Sequence, residues 1–142
     1  MTFLAGKRLL ITGVVTRESI AFATADAAQR LGADLVLTTF ERDRERTEEA
    51  ADALREPVPL LELDATDEAH VARLGDDLAE RWGHLDGALH AVAFAPRAAL
   101  AGAFLEADLA SAQQAFATST YSYAALARVL DRLAPPGGGS LV

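Results

Sequence analysis

Short apolar runs alternate along the chain with longer segments whose apolar residues recur every three to four positions. The short runs predict strands at residues 9–11, 35–37, 60–63, 88–92 and 140–142. The longer segments predict helices at about residues 19–31, 42–54, 67–82 and 108–133. Strands that are apolar at every position are typical of a parallel sheet covered on both faces. The pattern therefore predicts a doubly wound α/β domain over residues 1–142.

Local signals support the ends of these helices. Ser19 is a plausible N-cap of the first helix, and Gly32 is a plausible residue just beyond its last turn. Asp67 is placed to cap the third helix. Pro135 and Pro136 stop the long fourth helix, because proline cannot continue a helix.

Composition narrows the class of protein. A net charge of −8 and a pI of about 4.8 argue against nucleic-acid and anionic-membrane partners. The absence of cysteine excludes disulfides, thiolate nucleophiles and cysteine-based metal sites, and the spacing of His, Asp and Glu suggests no metal. Neither a signal-peptide layout nor a bilayer-length apolar run is present in these 142 residues, so we expect a cytoplasmic protein.

The turn after the first predicted strand carries the sharpest functional pattern. A dinucleotide site needs backbone N–H groups and a helix N-terminus aimed at the pyrophosphate. Gly13 would allow that close approach, and Ser19 stands where the helix begins. However, the usual G-x-G-x-x-G is absent, because Gly13 is the single glycine of this turn. By spacing alone, an ordinary strand-to-helix turn explains the pattern equally well.

The end of the second strand would face an adenosine ribose in a Rossmann-type fold. Phe40 could lie against adenine, Glu41 could accept from a ribose hydroxyl, and Arg42 could meet a 2′-phosphate. The alternative is a solvated, salt-bridged helix start, and this is our interpretation of Arg44 and Arg46. For Phe40 both interpretations stay open.

The ends of the third and fourth strands offer further candidates. Asp64 could accept from the adenine amino group while Ala65 packs on the ring, since Asp67 is the better helix cap. Small residues at positions 91–95 would let a cofactor lie along the strand ends. We interpret His90 as a core or strand-end histidine rather than a catalytic base.

Two tyrosines in the fourth helix are not interpreted as catalytic. Tyr121 and Tyr123 have no lysine four residues on, and the nearest downstream base is Arg128. Arginine stays charged and is a poor proton donor.

Taken together, these residues resemble the enoyl-acyl carrier protein reductases of bacterial fatty-acid synthesis, a divergent branch of the short-chain dehydrogenase/reductases. The matching segments are residues 6–13, Gly13 with Ser19-Ile20-Ala21, Leu85-Asp86-Gly87, His90, Phe94-Ala95-Pro96, Ser119, Tyr121-Ser122-Tyr123 and the Pro-Gly-Gly-Ser run within residues 136–140. A flavodoxin-like or receiver-type domain fits less well, because the first strand ends without an acidic pair and no phosphate loop matches a flavin site.

The resemblance implies a set of site residues. Gly13, Ser19 and Ile20 would meet the cofactor phosphates; Phe40, Asp64 and Ala65 would hold the adenosine; Val92 would line the cofactor's path; and Ala95 would border the acyl substrate. It further implies NADH, with NADPH possible, as the cofactor. The substrate would be an enoyl thioester on acyl carrier protein or CoA, and the protein a homotetramer whose long fourth helix forms an interface. Ala91 and Ala93 depart from the family's serine and glycine, and their methyl groups could narrow the groove.

The position of Val142 shapes the functional hypothesis. It lies at the start of the predicted fifth strand, whereas the family's catalytic tyrosine and lysine follow that strand. We therefore expect a sheet incomplete at its C-terminal side. We also expect a chain that is inactive by itself and marginally stable, aggregation-prone or partner-dependent. The alternative hypothesis is a non-catalytic dinucleotide-binding fragment or a partner-dependent half-domain.

Overall fold

The computed structural model describes residues 2–142 and contains one sheet of five parallel strands in the order β3-β2-β1-β4-β5. The strands are β1 (Arg8–Ile11), β2 (Asp34–Thr39), β3 (Leu60–Glu62), β4 (Gly87–Leu89) and β5 (Ser140–Leu141). The chain moves outward from β1 in both directions, first to β2 and β3 and then to β4 and β5. This order confirms the predicted doubly wound, Rossmann-type α/β fold.

Six α-helices connect or cover the strands within the described residues. They are α1 (Ile20–Arg30), α2 (Arg44–Ala51), α3 (Glu68–Trp82), α4 (Arg97–Leu100), α5 (Leu109–Phe116) and α6 (Ser122–Leu133). A 3₁₀ turn at Glu41–Asp43 precedes α2, so the predicted helix over 42–54 is shorter and begins in a tighter form.

The long helix predicted over residues 108–133 is not continuous. A π-helical turn, Ala117–Tyr121, separates α5 from α6. The Ser122 hydroxyl donates to the Thr118 carbonyl at 2.6 Å, which is the type of local bond by which serine side chains perturb a helix. The 3.6-residue periodicity runs through both helices, so it concealed this interruption.

Side chains cap the helices as the sequence predicts. The Ser19 hydroxyl accepts from the Phe22 amide at 3.1 Å, and Gly32 follows α1 with a φ of +93°. Asp67 accepts from the Ala69 amide at 2.7 Å and from His70 at 3.2 Å. Backbone hydrogen bonds from His70 and Ala69 hold the pKa of the Asp67 carboxyl below its ordinary value.

The core lies on both faces of the sheet. On one face α3 and α6 contribute Leu74, Leu78 and Leu126, which pack with the strand residue Leu10. On the other face the alanines of α1 and α2 pack against alternate strand residues such as Ile11, Leu35 and Leu37. Neighbouring strand residues point to opposite faces, and both faces are covered, so successive residues in the middle of β1 and β2 are apolar, which explains their continuous hydrophobic runs. No helix within residues 2–142 has both the length and the apolar character needed to cross a membrane.

Strand β4 ends earlier than predicted. The apolar run suggested residues 88–92, but the strand covers only Gly87–Leu89. Residues 90–96 have irregular structure, although the His90 amide still donates to the Val142 carbonyl. On the side of β1, the pairing of β4 stops because β1 ends at Ile11 and the chain turns at Gly13.

Candidate functional site

A cleft opens where the carboxyl ends of β1, β2, β3 and β4 meet. It is lined by Gly13, Val15, Thr38, Thr39, Phe40, Arg42, Asp43, Thr47, Leu63, Asp64, Ala65, Thr66, Ala91, Val92, Ala93, Phe94, Gln114 and Thr118. Strand β1 has β2 on one side and β4 on the other, so the cleft lies where the direction of the chain across the sheet reverses. In open α/β sheets, ligands bind in the crevice at this position.

Gly13 forms the floor of the cleft. Its φ is +80°, a conformation that residues with side chains rarely adopt. A Cβ atom at this position would overlap the Ala91 carbonyl group. The glycine is therefore required both by the turn and by the close approach of the β1 end to the segment after β4.

Thr12 fixes that approach from within the protein and is fully buried. Its hydroxyl donates to the Leu89 carbonyl at 2.9 Å and accepts from the Ala91 amide at 3.0 Å. The sequence analysis did not select Thr12. The available signal was a polar residue that ends an apolar strand directly before the glycine.

Phe40 and Phe94 stand on opposite sides of the cleft, and the Arg42 side chain contacts both rings. Phe40 follows β2 and is 39% exposed, whereas Phe94 belongs to the segment after β4. The guanidinium of Arg42 lies 5.1 Å from the Phe40 ring centroid and 5.2 Å from that of Phe94. Such distances allow cation–π attraction, so Arg42 bridges the two sides.

Asp64 and Ala65 lie next to each other on the β3 side. One carboxylate oxygen of Asp64, Oδ1, accepts from the amide and the hydroxyl of Thr66 at 2.9 and 2.6 Å. The other, Oδ2, has no hydrogen bond within residues 2–142 and can accept one from a ligand. Asp64 is not a helix cap, because Asp67 has that role.

The cleft brings together Gly13, Phe40, Asp64, Ala65 and Val92 from the predicted site. The other three predicted residues, Ser19, Ile20 and Ala95, lie outside its lining within the described residues. The Ser19 hydroxyl donates to the Thr16 carbonyl at 2.7 Å and caps α1, so it is already used internally. Ile20 is 82% exposed, and Ala95 is half-buried in the segment after β4.

The π-helical turn holds the segment after β4 in place. The Ser119 hydroxyl accepts from the Phe94 amide at 3.0 Å and donates to the Phe94 carbonyl at 3.1 Å. Thr118 in the same turn and Gln114 in α5 reach the cleft. Turns of this type are frequent at functional sites. Sequence reasoning could not locate the turn, because it depends on the packing of two distant segments.

His90 is a half-buried residue at the end of β4. Its Nε2 atom lies 2.7 Å from the Ser122 hydroxyl, and its ring meets the edge of Tyr123 with centroids 5.5 Å apart. Since the Ser122 hydroxyl donates to the Thr118 carbonyl, its oxygen accepts a hydrogen bond from Nε2–H of His90. Burial lowers the pKa of His90, in spite of an opposing backbone hydrogen bond.

Neither tyrosine of the fourth predicted helix lines the cleft. The Tyr123 hydroxyl donates to the Leu141 carbonyl at 3.1 Å, and the Arg128 guanidinium lies over the Tyr121 ring. In the part of the chain that the structure describes, no three His, Asp or Glu side chains are grouped as metal ligands would be.

The sequence is similar to known proteins over most of its length. Residues 13–142 match the model of the family described as enoyl-(acyl carrier protein) reductase. Enoyl-[acyl-carrier-protein] reductase [NADH] from Mycolicibacterium smegmatis is 40% identical over 140 residues, which are 96% of this chain and 52% of that protein.

Two further relatives are also named enoyl-[acyl-carrier-protein] reductase [NADH], the second with the addition FabI. The protein from Mycobacterium avium is 38% identical over 95% of this chain and 51% of its own length. That from Escherichia coli is 34% identical over 99% of this chain and 54% of its own length. The chain thus spans about half the length of the curated relatives it matches. Because the family match extends over most of the sequence and the fold is the one that the family resemblance implies, the chain belongs to the enoyl-(acyl carrier protein) reductase family.

Proposed function

We propose that this chain supplies the cofactor-binding part of an NADH-dependent enoyl-acyl carrier protein reductase of fatty-acid synthesis. The observation that carries the proposal is the cleft at the carboxyl ends of β1 to β4, with Gly13 on its floor. The turn at Gly13 connects the end of β1 to the segment that leads into α1, whose first amides point toward an anion. The names of the relatives support NADH as the dinucleotide.

The cleft residues suit the parts of a dinucleotide. Phe40 and Ala65 offer apolar surfaces for adenine, and Oδ2 of Asp64 is available to its amino group. Gly13 and the first amides of α1, at Ile20, would meet the pyrophosphate, because the first N–H groups of a helix lack partners inside it. Ser19 would act there by capping the helix.

The remaining proposed residues lie toward the nicotinamide end. Val92 lines the path of the cofactor, and Ala95 would border the acyl chain. NADH, when bound, would supply the hydride for the β-carbon of the 2,3-double bond, after which the enolate takes a proton. The residues of this cleft bind and orient, and the methyl group of Ala93 would narrow the groove where the family resemblance implies a glycine.

A second candidate is a dinucleotide-binding module without chemistry. It is favoured by the lining itself, which contains no tyrosine, lysine or histidine within residues 2–142. Such a module would hold NADH or ADP-ribose but would not reduce an enoyl thioester.

Calorimetric titration of the purified chain with NADH and ADP-ribose tests the proposal. We expect saturable binding of both ligands, since both carry the adenosine diphosphate that the cleft suits. Failure to bind either at millimolar concentration would contradict it. Adding crotonyl-CoA then separates the two candidates: NADH consumption that depends on the thioester supports the reductase, and binding without turnover supports the module.

We further propose a cytoplasmic homotetramer, as the family resemblance implies. Large apolar side chains exposed between residues 100 and 116 support an assembly, because soluble monomers rarely expose extended apolar patches. They are Leu100, Phe104, Leu105, Leu109 and Phe116. Light scattering coupled to size exclusion would measure the assembly, and a monodisperse monomer would contradict it.

A further inference from the structure

We propose that His90 is a positioning residue for the cofactor cleft, acting through a hydrogen bond to Ser122 that holds the π-helical turn in place. The histidine would join the end of β4 and the end of β5 to the turn that carries Thr118 into the cleft. This inference rests on the proposed function, because it concerns one wall of the same dinucleotide site.

The Ser122 hydroxyl determines which ring nitrogen of His90 carries the proton. Its oxygen lies 2.6 Å from the Thr118 carbonyl oxygen and 2.7 Å from Nε2 of His90. A carbonyl oxygen can only accept, so the single hydroxyl proton of Ser122 is donated to Thr118. Nε2 therefore carries a proton and donates it to Ser122, which leaves Nδ1 without a proton in the neutral ring. Burial lowers the pKa of His90, and this favours the neutral ring at neutral pH.

This hydrogen bond is shielded from solvent at the Ser122 end. Ser122 is fully buried, and His90 is half-buried. When a buried polar group loses its partner, the cost of removing it from water is no longer compensated. Loss of the His90 donor would therefore leave the Ser122 oxygen unsatisfied, and the turn would have a reason to rearrange around it.

The link leads to a residue of the cleft. Thr118, whose carbonyl accepts from Ser122, lines the cleft and belongs to the π-helical turn. Ser119 in the same turn is bonded to both the amide and the carbonyl of Phe94, which lines the cleft as well. A displacement of the turn would therefore move two lining residues together.

The other end of the link is anchored in the sheet. The His90 amide donates to the Val142 carbonyl at 2.7 Å, and the Val142 amide donates to the Ala88 carbonyl at 3.1 Å. The main chain at residue 90 is thus fixed to the end of β5 although β4 has already ended at Leu89. The ring takes its position from the sheet and transmits it to the turn.

His90 has the geometry of a positioning residue and not of a catalytic one. It is not among the residues that line the cleft, and its Nε2 atom is occupied as a donor to Ser122. The edge of its ring faces Tyr123, with the ring centroids 5.5 Å apart. Its effect on a bound dinucleotide would therefore pass through Ser122 and Thr118.

The test compares variants of the full chain that differ in whether a donor stands where Nε2 stands. His90→Gln offers an amide N–H at a similar reach, whereas His90→Leu has similar bulk and no donor. We expect His90→Leu to raise the dissociation constants of NADH and ADP-ribose by roughly three- to tenfold, the equivalent of one lost hydrogen bond. His90→Gln should keep most of the wild-type affinity. Calorimetric titration measures both.

Tyr123→Phe is the matched control for a general loss of stability. It removes the hydrogen bond from the Tyr123 hydroxyl to the Leu141 carbonyl, which also joins α6 to β5. It keeps the aromatic ring beside His90 and does not alter the bonds of the π-helical turn. Both affinities should therefore stay at the wild-type level.

Two further measurements distinguish the hydrogen bond from simple packing. In the nitrogen NMR spectrum of the imidazole at neutral pH, Nε2 should be protonated and Nδ1 should not. Ser122→Ala removes the acceptor and should weaken NADH binding as much as His90→Leu does. Because the two substitutions break the same link, their effects on NADH affinity should not add in the double variant. If His90→Leu fails to fold, Ser122→Ala serves as the test, and an unchanged affinity overturns the inference.

The outcomes separate this inference from the proposed function. Wild-type chain that binds NADH, together with a His90→Leu variant of unchanged affinity, overturns the inference alone. Equal weakening by His90→Leu and His90→Gln also overturns it, because the donor would then have no role, and so does a proton on Nδ1 in place of Nε2. Wild-type chain that binds neither NADH nor ADP-ribose overturns the proposed function and the inference together.

Discussion

Gly13 shows how a single residue determines whether the cleft can form. Its positive φ and the nearby Ala91 carbonyl both exclude a side chain. Gly6 has a similar φ of +75° but has no atom within 4 Å of the position that a Cβ would take. The two glycines therefore separate backbone strain from steric overlap.

We predict that Gly13→Ala destabilises the protein more than Gly6→Ala. The Gly6 variant should lose about 1 kcal/mol of unfolding free energy, from backbone strain alone. The Gly13 variant should lose about 2–4 kcal/mol, because overpacking adds to the strain. It should also lose NADH affinity. Urea denaturation measures both losses, and equal values would contradict the role given to Ala91.

At the scale of elements, the π-helical turn couples α5 and α6 to the segment after β4. Ser119 makes two hydrogen bonds to Phe94, and Ser122 makes one to His90. These bonds hold residues 91–96, which lie outside the strands in the described part of the chain. The turn thus positions one wall of the cleft.

We predict that Ser119→Ala loosens that wall with little change in the fold. The Phe94 amide should exchange its hydrogen faster, since it loses its acceptor, and stability should fall by about 1 kcal/mol. Thr120→Ala, an exposed neighbour in the same turn, is the control. Hydrogen exchange followed by mass spectrometry measures the effect over residues 90–96. Unchanged protection there would argue that other contacts hold the segment.

For the whole molecule, an ion-pair cluster at the opposite end of the sheet joins β1 to β4. The Asp86 side chain is 9% exposed, and its carboxylate accepts from Lys7 Nζ at 2.9 Å and from the Arg8 amide at 3.0 Å. Nε2 of His84 lies 3.4 Å from Oδ2 of Asp86. Burial by itself would raise the pKa of Asp86. The hydrogen bonds from Lys7 and Arg8 and the charges of Lys7 and His84 outweigh burial, so the pKa lies below its ordinary value.

This lowered pKa predicts how stability depends on pH. A carboxyl whose pKa is lower in the folded state contributes stability above its unfolded pKa, near 3.8. The contribution is lost as the pH falls from that value through the folded pKa. Asp86→Asn should remove it, lowering the unfolding free energy at neutral pH by about 1–2 kcal/mol and flattening its acid dependence.

Denaturation curves between acidic and neutral pH test this prediction. Asp131→Asn is the matched control, because Asp131 is exposed and has no ion pair in the described residues. An Asp86→Asn variant that keeps the wild-type acid dependence would show that Asp86 does not link proton binding to folding.

The local sequence was sufficient for the elements and for part of the site. The number of strands, the parallel doubly wound class, and the caps at Ser19 and Asp67 followed from patterns spanning a few residues. Gly13, Phe40 and Asp64 could be selected as site candidates, because parallel strands bring their carboxyl ends to one edge. Their roles in binding stay predictions that the titrations test.

Tertiary structure decided the features that depend on distant neighbours. The pairing of β4 with β1 ends where β1 turns away, and the π-helical turn packs its Ser119 against Phe94. The position of Arg42 depends on two rings from different strand ends. Periodicity reports which residues are buried, but not which distant segment they meet. The sequence therefore determined the elements and the edge that holds the cleft, and packing between distant segments determined its walls and the charges around it.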